Sequence, residues 1–234
     1  LRVPLLIDWW KGFRPTNKRD ERPPDPPPEL LEFSVALEFC SRIAVPEAKD
    51  TLLLLLERED VVRDRWALSE VLTALGNLKL IDALPIFRKY ATFVAEPDTS
   101  WVGIAAVVAI AMQDFPQALN YLPDAIKGDL RHRNDLLDPK NDYRASEVLL
   151  ERLLDLHGKN AIQPIAQKML RLTLQELAFA REIANSLSSR NAKFIQNFGK
   201  AHGEEYVRDE KAKQQLLFQL RQALEPPKPS STTP

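Results

Sequence analysis

AVPEAKDTLLLLLEREDVVRDRWALSEVLTALGN, residues 44–77, reads as two helices joined by a turn. Pro46 suits a first helical turn, where its missing N–H would have no intrahelical partner anyway. The first helix runs from it to about residue 58. Leu52 to Leu56 is an unbroken run of five leucines. A run that long covers every side of a helix and predicts neighbours on more than one side. Glu59 and Asp60 make the turn. A second helix covers about 61–75, and Gly76 with Asn77 closes it as a C-cap.

The same opening recurs along the chain. Pro46, Pro85, Pro123 and Pro164 stand at intervals of 39, 38 and 41 residues. The first three follow Val45, Leu84 and Leu122; the fourth follows Gln163, with Ile162 just ahead. A period near 40 residues marks paired-helix solenoid repeats. Twenty residues after each proline stand Trp66, Ala105, Tyr143 and Ala184. Each falls in an expected second helix, at a position suited to facing an interior.

Working outward, helices are expected over 29–43, 80–95, 99–112, 116–126 and 142–157, the last ended by Gly158. Thr99 or Ser100 is the expected cap of its helix. Gly103, Ala105, Ala106 and Ala109 make that helix narrow enough for close neighbours. Residues 162–187 form one long helix or a pair with a tight break, and 191–199 form another. The last helix, 204–224, places Val207, Leu217, Leu220 and Leu224 near one face and charge on the other. That is the pattern of a capping element at the end of a stack. The expected fold class is all-α: a right-handed α-solenoid of stacked antiparallel helix pairs.

Pro46 in the first helix, Asp60 in the turn, Arg63 at the second helix start and the Ala67…Leu75-Gly76 close together resemble a HEAT repeat. The resemblance implies a HEAT/armadillo-like solenoid. It also implies a bond between the turn acid Asp60 and the helix-start Arg63, reaching neighbouring repeats. Residues 80–113 share the pattern in part; 115–157 and 160–190 share mainly the period. Tetratricopeptide repeats fit less well, because the interval is too long and their Trp-Leu-Gly-Tyr pattern is absent.

Composition supports a helical chain. There are 7 Gly against 18 Pro in 234 residues. Strand-rich folds and phosphate-loop enzymes need more glycine. Six prolines and many charges mark 15–28 as an extended linker, and 225–234 as a disordered tail. The expected organisation is an apolar, aromatic segment at 1–14, the linker at 15–28, a helical-repeat domain at 29–224, and the tail. Trp9 and Trp10 followed by Lys11 and Arg14 suit either a short docking helix or the flank of a membrane helix outside this chain. Within the chain, the longest uncharged stretch, 99–113, is too short to span a bilayer. The chain opens on Leu1, and we read it as a module of a larger protein.

Cys40 is the only cysteine, so neither an internal disulfide nor a thiolate zinc site can form. This fits a reducing, cytoplasmic setting. His132, His157 and His202 lack metal-ligand spacing, and no metal or cofactor is expected. No Gly-rich phosphate loop, nucleophile elbow or tuned carboxylate pair is visible.

Two places invite a partner. Residues 127–141, KGDLRHRNDLLDPKN, read as a long charged connection. Lys127, Arg131, His132 and Arg133 would form a basic point for a carboxylate or phosphate. Alternatively, its arginines pair with Asp129 and Asp135 in a solvated loop. Trp66 and Trp101 are a second candidate, as an aromatic platform or as core packing. The expected function is a non-catalytic scaffold mediating protein–protein interaction. A nucleic-acid-binding HEAT-like protein of the DNA glycosylase type is one alternative, against which the acidic middle of the chain argues. A HEAT-like bilin lyase subunit is the other, resting on fold analogy alone.

Overall fold

The computed structural model describes residues 28–132 and 144–225; for 28–34, 204 and 206 it describes the backbone alone. The expected N-terminal segment 1–14, most of the linker, Arg133, Tyr143 and the tail beyond residue 225 lie outside the described residues. Every regular element described is helical. The helices are α1 (Pro28–Arg42), α2 (Lys49–Leu55), α3 (Glu59–Arg63), α4 (Arg65–Asn77), α5 (Leu84–Ala91) and α6 (Ser100–Ala111). They continue with α7 (Phe115–Ala118), α8 (Leu122–Arg131), α9 (Ala145–His157), α10 (Lys159–Met169), α11 (Leu174–His202) and α12 (Arg208–Leu224). Among the described residues, no helix is long and apolar enough to cross a membrane. The chain divides into two compact units: residues up to 93 with 98–113, and residues 94–97 with those from 114 on.

In the first unit α4 is the central helix. Ala67, Leu68, Val71, Leu72 and Leu75 bury its apolar stripe, with α1 and α6 packed against it. The expected single helix over 61–75 is broken at Asp64. That residue is extended, and its carboxylate accepts from the backbone N–H groups of Trp66 at 2.9 Å and Ala67 at 3.1 Å. An aspartate so placed satisfies two orphan donors and starts a new helix.

Gly76 is not a C-cap. It lies inside α4, and a Cβ there would come within 2.7 Å of Ala109 Cβ on α6. Its missing side chain permits helix contact rather than a chain reversal; the left-handed residue after α4 is Lys79, at φ 51°. The leucine run also behaves differently from expectation. α2 is short, with Leu52 and Leu55 buried and Leu54 exposed.

Contacts at both ends fix the direction of α6 relative to α4. Arg65 and Asp98 meet near their starts, at 3.9 Å, and Gly76 meets Ala109 near their ends. The two helices therefore run parallel, offset by 33 residues at both contacts. α1 also packs on α4 with C-terminal ends together, since Asn77 Nδ2 donates to the Ser41 carbonyl at 2.6 Å.

The second unit is a bundle of α8 to α12. Its core is built from Leu149, Leu150, Leu153 and Leu154 of α9, Ile162 and Ile165 of α10, and Phe179 and Ile183 of α11. α12 adds Leu217, Leu220 and Leu224, and Val207 just before it is buried as well. Of the two readings for 162–187, the chain adopts the pair. α10 ends at Met169, and Thr173 opens α11 in a capping box with Glu176. The separate helix expected over 191–199 is instead the continuation of α11, which runs 29 residues without a break. The proline ladder is uneven too. Pro46, Pro85 and Pro123 occupy first turns, whereas Pro164 lies inside α10.

Candidate functional site

The basic segment divides between helix and undescribed chain. Lys127 and Arg131 belong to α8, so the expected loop begins only after it. Four residues apart, they share one exposed side of the helix. Arg131, in the last turn, also sits against the helix's negative end, a structural role for the same charge. His132 follows, half-buried. Arg133 lies outside the described residues.

Asp129, between them, points the other way. It is 8% exposed, and its carboxylate accepts from the backbone N–H of Ala145 at 3.2 Å and of Ser146 at 2.8 Å. The Ser146 hydroxyl donates to it as well. α8 thus caps the start of α9 from outside, where Arg144, the residue at the N-cap, supplies no side-chain bond. Burial pushes the Asp129 carboxyl up. The donors of Ser146 and Ala145 and the charge of Arg144 pull it back without cancelling that effect. Asp129 is therefore a cap and not a loop partner for arginine.

The bond expected between Asp60 and Arg63 is not formed. Asp60 pairs with Arg58, which donates through Nε at 3.0 Å, while Arg63 pairs with Glu59. Asp60 also accepts from the Val61 N–H at 2.8 Å. The Arg58 hydrogen bond holds its carboxyl below the ordinary range, against partial desolvation. Asp60 thus fastens its own helix start, and the exposed Arg63–Glu59 pair contributes little.

Trp66 is 40% exposed and Trp101 56% exposed, so the core-packing reading does not describe them. Trp66 also departs from the interior position that its offset from Pro46 implied; Ala105 and Ala184 are buried as expected. The two tryptophans occupy the first turns of α4 and α6, whose starts are joined by Arg65 and Asp98. Packed helices lie about 8–10 Å apart. Like ends of parallel neighbours therefore present two large aromatic rings and a charged pair on one edge of the first unit.

A charged seam between α9, α11 and α12 was not foreseen. Glu147, nearly buried, is bonded by Arg190 at 3.0 Å and approached by Arg144 at 3.8 Å. Arg144 also reaches Glu182 at 3.2 Å and lies over the Phe179 ring. Lys213 contacts Glu151 at 3.1 Å, Asp155 at 3.2 Å and Glu210 at 3.8 Å. Burial pulls the Lys213 ammonium down, but Glu151 and Asp155 outweigh it and hold it above its ordinary range. A cleft of about 250 Å³ opens beside this seam, lined by Leu154, Leu187, Phe194 and Leu217 with Glu151 and Lys213 at its edge. Residues 144, 147, 151 and 155 form one charged stripe legible in the sequence, but their partners lie far along the chain. Every charge named here has an opposite neighbour, so the seam fastens helices together.

Among the described residues, no group of three or more His, Cys, Asp or Glu side chains is placed to hold a metal ion. Comparison with family models, curated proteins and solved structures finds no match to this chain.

Proposed function

We propose that this chain is a non-catalytic helical-repeat scaffold that engages a protein partner through the Trp66–Trp101 edge. One observation carries the reading: two exposed tryptophans at like ends of adjacent parallel helices. Large aromatic rings flanked by an arginine are the groups that dominate protein interfaces. Their exposed ring surface is apolar area that a bound protein would remove from water. The parallel stacking of α4 and α6 and the Pro46 and Pro85 starts support a HEAT/armadillo-like arrangement in the first unit; the right hand is part of the proposal. The lone Cys40 suits a reducing, cytoplasmic setting.

The test compares wild type with W66A/W101A. Both are immobilised, exposed to lysate of the source cell, and their captured proteins quantified by mass spectrometry. Truncating a hot-spot pair costs about 2 kcal/mol or more, roughly a thirtyfold loss of affinity. At least one protein is expected to be retained by wild type and lost from the variant. Equal recovery of every captured protein, with both forms folded by circular dichroism, sinks the proposal.

A further inference from the structure

We infer that a second cleft, between α11 and the end of α12, binds a side-chain carboxylate of an acidic peptide. This lies in the second unit and does not depend on the tryptophan edge. The cleft holds about 170 Å³ and is lined by Arg181, Ala184, Asn185, Arg221, Leu224 and Glu225. Arg181 Nε donates to the Leu224 carbonyl at 2.8 Å, which fixes the guanidinium and leaves its outer fork available. Among the described residues, Arg221 Nη1 reaches only the Ser188 hydroxyl, at 3.4 Å. Neither arginine makes an ion pair among the described residues, in contrast to Arg144 and Arg190 of the seam.

Charge selects the ligand class. Two guanidiniums bring two positive charges. Glu225 at the rim and the α12 C-terminus, about half a negative charge, offset most but not all of that. The excess suits a monoanion. A dianionic phosphate would meet Glu225 and the helix end as like charges. Arginine forks match a planar carboxylate in bidentate fashion. Ala184 and Leu224 are buried behind the cleft, and the exposed Asn185 amide adds a donor beside the two guanidiniums.

The full chain, isotopically labelled, is titrated with capped hexaglutamate, capped hexaglutamine and inorganic phosphate while backbone amide resonances are followed. Hexaglutamate is expected to shift the amides of Ala184, Asn185 and Leu224, and hexaglutamine to leave them in place. R221Q, which loses only a long bond to Ser188, is expected to weaken binding at least tenfold. E225Q removes the competing rim charge without touching the fold and is expected to tighten binding severalfold. No shift at those amides, phosphate binding tighter than hexaglutamate, or unchanged affinity in both variants overturns the assignment.

Discussion

Replacing Asp129 by alanine removes the acceptor that closes the start of α9. Two backbone N–H groups and the Ser146 hydroxyl lose their partner in a buried place. Loss of a cap costs about 0.5–2 kcal/mol. Because these donors are buried, the same loss lies toward the range for bared groups, about 1–3 kcal/mol. Against this, a carboxylate no longer has to be held out of water, and the upward pressure on its pKa shows that this penalty is real. The net expectation for D129A is a loss of about 2–3 kcal/mol, or about 5–10 °C in Tm for a chain of this size. Melting followed by far-ultraviolet circular dichroism measures it. D129N adds a pH signature. Because burial raises this pKa, the folded protein keeps the proton to higher pH than the unfolded chain does. The group's contribution is greatest below its ordinary value of 3.8 and declines as pH rises from there through the raised folded value. D129N has no such decline, so its deficit against wild type narrows across that window. A D129A protein within about 0.5 kcal/mol of wild type, the range of an inert surface change, refutes the cap.

Other substitutions probe the packing. G76A gains helix propensity of about 1 kcal/mol but drives a methyl into Ala109, and overpacking costs about 1–3 kcal/mol, so urea denaturation should show a small net loss. G128A meets the Ala95 backbone, with a Cβ only 2.5 Å from its carbonyl oxygen, and is expected to lose more than G76A. K213M leaves Glu151, Asp155 and Glu210 facing one another; a loss of about 1–3 kcal/mol at neutral pH should shrink on acidification, as chemical denaturation at two pH values can show. G158A meets no atom within 4 Å, so any loss, about 1–3 kcal/mol by thermal melting, comes from its φ of 54° and ψ of −134° alone.

Helix content was legible because local signals decide it. Pro46, Pro85 and Pro123 start helices where a missing N–H is harmless, and Gly158 ends one. The α12 face was equally clear from the spacing of Leu217, Leu220 and Leu224, although the helix begins at Arg208 and Val207 lies in the turn before it. The break at Asp64 carried its own signal, a capping aspartate, but sat inside an apolar pattern that continues through it. Gly76 and Asp129 act through partners 33 and 16 residues away, and sequence order does not reveal which helices touch. For the same reason Asp60 and Arg63 were paired in expectation and chose Arg58 and Glu59 instead, each within reach on its own segment. Trp66 and Trp101 were singled out by type, yet their exposure depends on which side of each helix its neighbours occupy.

Site-specific photo-crosslinking tests the scaffold claim most directly. A photoreactive phenylalanine analogue is placed at Trp66, at Trp101 and, as a control, at the exposed Lys200 of α11. Positions 66 and 101 are expected to capture the same heterologous protein in cells, and position 200 is expected not to. Capture no stronger at 66 and 101 than at 200, with all three variants folded, would contradict a partner surface on the starts of α4 and α6.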